Sequence, residues 1–244
     1  MGSGDGSLIN VDTVLFDLDG TLRHNQPSFV TAFYDYAVSL GVADGVEKRR
    51  KAAQWTHFYW AQSSELEQDS RRFDIQGDAF WVYYAQRSLL AFDCSLECAE
   101  ALAPEIQRYM SECHQSEDYV PPEVPETLER LKRADFRLGL LSNRSQPCHD
   151  YLHEKGLAQY FDLALVAGEV NSWKPDAEIF HCALQRIEAS PEKTIYIGDN
   201  YYADIVGAKN AALIPILLDP EDVFPDVDCL VVRSISDLLS LLNL

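Results

Sequence analysis

The chain has 244 residues, 47 % of them hydrophobic, and a formal net charge of −19. That length holds one large domain or two modest ones, and the apolar fraction is that of an ordinary soluble globular protein. So acidic a surface repels nucleic-acid phosphates and anionic lipid, which removes both as expected partners and means that an anionic small molecule needs a local cation or lysine to bind.

Met1–Ser7 lacks the basic and apolar regions of a signal peptide, so residues 1–7 read as a flexible tail. No apolar stretch approaches a membrane span, and the expected compartment is the cytoplasm. The six cysteines, Cys94, Cys98, Cys113, Cys148, Cys182 and Cys229, show no C-x-x-C spacing and no zinc pattern. They read as reduced, mostly buried thiols, with Cys94 and Cys98 able to share a helix face.

Val14-Leu15-Phe16 is an apolar run that closes in Asp17-Leu18-Asp19-Gly20-Thr21-Leu22, so Thr13 to Asp17 reads as a buried strand emptying into a tight turn. From Pro27 to Ser116 the periodicity is helical. Phe29, Phe33, Tyr36 and Leu40 share one face up to Gly41. Further helices are expected over Asp44–Ser63 and Asp78–Phe92, and from Ser95 onward, where Pro104 breaks or kinks the last. Lys48 to Lys51 reads as a solvated face, and Arg71 and Arg72 fall in a loop. The tryptophans Trp55, Trp60 and Trp81 read as core of this insert, whereas Trp173, next to Lys174, is the aromatic best placed to meet a ligand.

Pro121, Pro122 and Pro125 form a stiff connector. After it, helix and strand alternate: helix 126–134, strand 137–141, helix 146–155, strand 163–167, helix 176–187, strand 194–197, helix 202–211, strands 214–218 and 230–232, and helix 234–242. The expected fold is therefore α/β, a Rossmann-like parallel sheet with helices on both faces, with an all-helical domain inserted after the first strand. The core takes residues 8–22 and 120–244, and the insert takes 23–119.

Ligands of such sheets bind beyond the carboxyl ends of the strands. There the sequence supplies Asp17 and Asp19, then Ser142-Asn143-Arg144, then Lys174-Pro175, then Gly198-Asp199-Asn200 with Asp204. Singly each has a plain structural reading: Ser142 a helix cap, Lys174 a surface lysine, Asp199 a turn residue, Asp204 a helix-start carboxylate.

Together, in this order, D-L-D-G-T-L, L-S-N, K-P-D-A-E-I-F and I-G-D-N-x-x-x-D-I-x-G-A resemble the haloacid dehalogenase superfamily. The resemblance is to its phosphatase branch with a helical cap, similar to phosphoglycolate phosphatases, and spans about Val11 to Ala211. It implies Mg²⁺-dependent hydrolysis of small phosphate monoesters through an aspartyl phosphate. Asp17 would be the nucleophile, and Asp19 the acid/base, holding a proton while Asp17 is ionised. Mg²⁺ would bind Asp17, the carbonyl of Asp19 and Asp199, with Asp204 either a direct ligand or a holder of the metal's water. Ser142, the amides of Leu18 and Asn143, and Lys174 would take the phosphoryl oxygens, Lys174 also keeping Asp17 ionised. Pro175 suits the first turn of the following helix.

The aspartate at position 19 favours phosphoryl transfer over halide cleavage, whose enzymes lack that acid. Arg23 and His24 depart from the commonest pattern and read either as a polar hinge or as substrate contacts. The alternatives are a phosphomutase of the same superfamily and a non-catalytic binding protein on this fold. The expected partner is a small phosphorylated metabolite, and the expected state a monomer or small homo-oligomer.

Overall fold

The computed structural model describes residues 11–244, so the tail expected at residues 1–7 lies outside the described residues. In chain order the strands are β1 (Thr13–Phe16), β2 (His24–Gln26), β3 (Glu117–Tyr119), β4 (Arg137–Ser142), β5 (Leu163–Val166), β6 (Thr194–Gly198), β7 (Ile214–Leu218) and β8 (Leu230–Val232). The α-helices are α1 (Phe29–Ser39), α2 (Val46–Trp60), α3 (Ser64–Arg72), α4 (Asp78–Ala91), α5 (Leu96–Glu112), α6 (Glu123–Arg133), α7 (His149–Glu154), α8 (Ala167–Val170), α9 (Ala177–Ile187), α10 (Val206–Asn210) and α11 (Asp237–Leu241). A π-type turn, Tyr201–Ile205, leads into α10. Contacts divide the chain into two compact units.

The first unit takes the chain up to Arg23, Val120–Pro220 and Asp228–Leu244. Its six strands lie in the order β5-β4-β1-β6-β7-β8, every pair parallel. Side chains alternate across the sheet, and each face of β1 finds its own cover. Val14 and Phe16 pack with Leu138, Leu140, Ile195 and Ile197 against Leu128 and Leu131 of α6 and Leu238 of α11. Leu15, Leu141 and Tyr196 pack against Ile179, Phe180 and Ala183 of α9 and Ala208 of α10. Phe16 lies opposite both Leu140 and Ile197. The ends of β1, β4 and β6 therefore fall within two residues of one another, and the residues that follow them open on one edge.

The second unit takes His24–Tyr119 and Glu221–Val227. Phe33, Tyr34, Leu89, Phe92, Ala99 and Ile106 form its larger core. A second cluster is aromatic: Tyr59, Phe80 and Tyr84 are buried with Trp55, Trp60 and Trp81 around them. The short antiparallel ribbon β2–β3 closes the unit where its chain enters and leaves.

Several expectations are corrected. Residues 221–227 pack in the helical unit because Arg50 Nε donates to the carbonyl of Asp222 (3.1 Å) and Gln54 Nε2 to that of Val223 (2.6 Å); Arg23 belongs with the sheet. Arg71 and Arg72 form the last turn of α3, not a loop; this helix carries almost no apolar residue and is set by its Ser63 cap, which accepts from the Leu66 amide. Pro104 does not interrupt α5, whose buried Ala99, Ala103, Ile106 and Met110 hold it continuous. Pro125 lies inside α6, not before it. The Lys48–Lys51 stretch is largely an ion-pair network: Lys48 to Asp93 (3.5 Å), Arg49 to Asp35 and Asp44 (2.8 Å each), Arg50 to Glu47 (2.8 Å). All six cysteines are free, but only Cys148 is buried.

Candidate active site

β1 gives out at Phe16, yet the Asp17 amide still donates to the Ile197 carbonyl (2.9 Å), so Asp17 continues the line of the strand and is buried. The turn then folds on the Leu18 carbonyl, which accepts the amides of Thr21, Leu22 and Arg23. Gly20 has φ +94°, and a Cβ there would lie 2.4 Å from Asp199 Oδ2. Both the backbone conformation and the close approach of Asp199 demand glycine. Thr21 Oγ1 donates to Asp17 Oδ2 (3.2 Å) and stands 3.5 Å from Asp199 Oδ1.

Lys174 is the cation of this cluster and is 2 % exposed. Its Nζ donates to Asp17 Oδ1 (2.6 Å), Asp204 Oδ1 (2.7 Å) and Tyr196 Oη (2.9 Å), which uses all three of its protons. Burial alone would lower its pKa. The carboxylates of Asp17 and Asp204 outweigh burial and hold it well above the ordinary lysine value. The main chain of Lys174 is clamped as well: its amide donates to Asn143 Oδ1 (2.7 Å) and its carbonyl accepts from Asn143 Nδ2 (3.0 Å). The strand end of β4 thus fixes the loop that presents the lysine.

Asp17, Asp199 and Asp204 each offer an oxygen within 4.8 Å of the others. Burial pushes Asp17 up to about 7 against the pull of Lys174, and pushes Asp199 well up, helped by the charges of Asp17 and Asp204. Three crowded carboxylates with one lysine leave an uncompensated negative charge, and an all-oxygen donor set fits a hard divalent cation such as Mg²⁺. Asp204 is already engaged. Oδ1 takes Lys174 and Tyr196 (3.1 Å), and Oδ2 takes the Asn200 amide (2.9 Å). The π-type turn delivers it there, capped by Asn200 Oδ1 on the amides of Tyr202 and Ala203.

Asp19 differs from the expectation of a proton-bearing acid. Arg144 grips it as a fork, Nε to Oδ2 and Nη2 to Oδ1 at 2.7 Å each, and Arg23 Nη1 adds a 3.0 Å bond to Oδ1. Burial would raise its pKa, but the two guanidinium groups outweigh burial and hold the carboxyl below the usual aspartate value. In this state Asp19 is a carboxylate.

Ser142 is buried at the last position of β4, on the same strand edge as Asp17. Leu18 is fully buried in the core with its carbonyl holding the turn. Trp173, half-buried, packs on the core cluster of Leu165, Ile179 and Phe180. Pro175 precedes the N-cap Asp176, so it lies outside the first turn of α9.

Sequence reasoning misses Tyr196, the amide clamp of Asn143 and the Arg144 fork. Tyr196 hides inside an apolar strand; its signal is a hydroxyl at a strand position that must find partners when buried. Arg144 stands directly after Ser142-Asn143, and that place at a strand end is the signal that could have found it.

The family model described as haloacid dehalogenase-like hydrolase matches residues 11–212. The chain is 32 % identical over 230 residues to the phosphoserine phosphatase of Thermus thermophilus, covering 86 % of this chain and 90 % of that protein. It is 28 % identical over 213 residues to the ribulose-1,5-bisphosphate 5-phosphatase of Halopiger xanaduensis, with 86 % and 85 % covered. Among solved structures, a 2-haloacid dehalogenase from Pseudomonas syringae pv. Tomato DC3000 superimposes with a TM-score of 0.53 at 27 % identity, over 96 % of this chain and 98 % of that one. The sheet order, the strand-edge aspartates and the matched length agree, and the chain belongs to the haloacid dehalogenase-like hydrolases.

Proposed function

We propose that the protein is a Mg²⁺-dependent phosphatase of small phosphate monoesters that works through an aspartyl phosphate on Asp17. The observation that carries this is the buried Lys174 bound to both Asp17 and Asp204, with Asp199 beside them at one strand edge. Lys174 on Asp17 Oδ1 and Thr21 on Oδ2 orient the carboxylate for attack, and the Lys174 charge opposes its protonation.

In the first step an Asp17 oxygen bonds to phosphorus, the bond from phosphorus to the ester oxygen breaks, and Asp19 gives its proton to the departing alkoxide. In the second, Asp19 takes a proton from water, the water oxygen bonds to phosphorus, and the bond from phosphorus to the Asp17 oxygen of the acyl phosphate breaks. Ser142 Oγ, the amides of Leu18 and Asn143, and Lys174 donate to the phosphoryl oxygens. For Asp19 to carry the proton, the Arg144 fork has to leave its carboxylate. Asp17, Asp199 and the carbonyl of Asp19 would hold Mg²⁺, and the prior engagement of both Asp204 oxygens supports an indirect role for Asp204. The ion supplies charge neutralisation at a phosphoryl oxygen when bound. Free thiols suit a reducing compartment, in keeping with a cytoplasmic enzyme.

The relatives named as phosphatases support this reading, and so does Asp19, which halide displacement does not need. The test is a panel of phosphate esters, sugar phosphates and 2-haloacids assayed with Mg²⁺ and with chelator. Mg²⁺-dependent phosphate release is expected. Halide release without phosphate release, or isomerisation of a sugar phosphate outrunning phosphate release, would replace this reading.

A further inference from the structure

Arg144 is not needed to neutralise the nucleophile, because Lys174 does that from a buried position. It stands instead on Asp19, the residue that faces the ester oxygen of the leaving alcohol in the phosphatase reading. Two guanidinium groups converge there on one carboxylate, which leaves an excess of positive charge at that spot on a chain of net −19. The main chain of Arg144 is anchored, its carbonyl accepting from the Gly168 amide (3.1 Å). The fit is close, since a Cβ on Gly168 would fall 2.0 Å from the Ser145 carbonyl oxygen. The guanidinium lies over the Tyr151 ring, 5.0 Å from its centroid, a shelf that keeps it in place. The side chain is nonetheless 31 % exposed, against 3 % for Lys174. Arg144 is therefore an accessible, preorganised fork, the geometry that binds a carboxylate or phosphate with two parallel hydrogen bonds. Asp19 occupies that fork here as an internal anion.

We propose that Arg144 determines specificity for the leaving group by taking a second anionic substituent, a carboxylate or a phosphate, on the alcohol side of the phosphate monoester. The proposal rests on the phosphatase reading of the site. The incoming anion exchanges with Asp19 on the guanidinium, so recognition of the substrate and release of Asp19 are one event. Esters of simple alcohols lack the group that makes the exchange and are poorer substrates.

The test compares kcat/KM for three small esters: the phosphate ester of glycolic acid, ethylene glycol bisphosphate, and ethyl phosphate as the neutral reference. The wild-type protein, Arg144→Met and Arg144→Lys are compared with Mg²⁺ present, with thermal melting as the check on folding. The ratio of acidic to neutral ester is expected to fall by about tenfold or more in Arg144→Met, chiefly through KM. Arg144→Lys keeps part of the ratio because it keeps the charge but not the fork. A fall confined to the carboxylate ester or to the bisphosphate identifies which anion the fork takes. Ratios unchanged within about twofold for both acidic esters in Arg144→Met, with wild-type turnover intact, overturn the proposal alone. No turnover of any ester by the wild-type protein overturns the phosphatase reading and this proposal with it.

Discussion

Asn143 and Lys174 hold one another through a reciprocal pair of hydrogen bonds: the Lys174 amide donates to Asn143 Oδ1 and Asn143 Nδ2 donates to the Lys174 carbonyl. A side chain at the end of β4 thereby fixes the main chain of a loop 31 residues later, and with it the ammonium that binds Asp17. Asn143→Ala removes both bonds and leaves the Lys174 loop to set its own position. The expected result is a loss of roughly tenfold in kcat with a smaller change in KM, since a misplaced catalytic group costs more than a binding contact. Steady-state kinetics on an aryl phosphate decides it, and an unchanged kcat would remove Asn143 from the positioning machinery.

Lys174→Met tests the charge balance. It leaves Asp17, Asp199 and Asp204 crowded with no ammonium among them. Breaking a buried pair by removing one partner costs about 3–5 kcal/mol. Chemical denaturation of the metal-free variant is expected to show a loss of that order, and Mg²⁺ is expected to raise its melting temperature more than that of the wild type. Equal stability of variant and wild type without metal would mean that the three carboxylates are not ionised together.

The pH dependence follows from Asp17. Burial raises its folded-state pKa to about 7, so between about pH 4 and about pH 7 the folded, metal-free protein binds more protons than the unfolded chain. Stability falls with rising pH wherever the folded state binds more protons, so the metal-free protein is expected to lose stability as pH rises through that window. Asp199, also raised, acts in the same direction. Lys174, raised above its ordinary value, keeps its contribution throughout the window and does not generate the slope. The Mg²⁺-induced rise in melting temperature is expected to be larger near pH 7.5 than near pH 5. Asp17→Asn is expected to flatten the metal-free slope, and a slope identical in that variant would assign it to other groups.

Asp19→Asn separates the acid role from the structural one. Alkyl esters, whose alkoxides need a proton, are expected to lose about a hundredfold or more in rate, while activated aryl esters lose clearly less. Equal losses would argue that Asp19 serves mainly as the anchor for Arg144 and Arg23.

The sheet and most of the site were legible because their signals are local. Val14-Leu15-Phe16 is apolar on both faces and stops at Asp17, so the strand and its edge follow from the residues themselves. Asp17 and Asp199 lie just past their strands, Asp204 in the turn before α10 and Lys174 in the loop before α9, and parallel pairing brings the strand ends to one edge. What was not legible depends on partners distant in sequence. Nothing in Glu221–Val227 announces that its carbonyls dock on Arg50 and Gln54. The hydroxyl of Tyr196 gains meaning only once Lys174 and Asp204 stand around it. The low pKa of Asp19 in this state was hidden for the same reason: it is set by Arg144, 125 residues away. The helix α3 was hidden because a nearly all-polar run shows no periodicity, and only its caps mark it.

The central claim is a covalent intermediate on Asp17. The direct measurement is an acid quench of the protein during turnover of a phosphate monoester with Mg²⁺, then borohydride reduction and peptide mass analysis. The account expects position 17 to appear as homoserine, the reduction product of an aspartyl phosphate, with no such conversion at Asp19 or Asp199 and with phosphate release abolished in Asp17→Asn. Sustained phosphate release by Asp17→Asn, or trapping at another carboxylate, would contradict it.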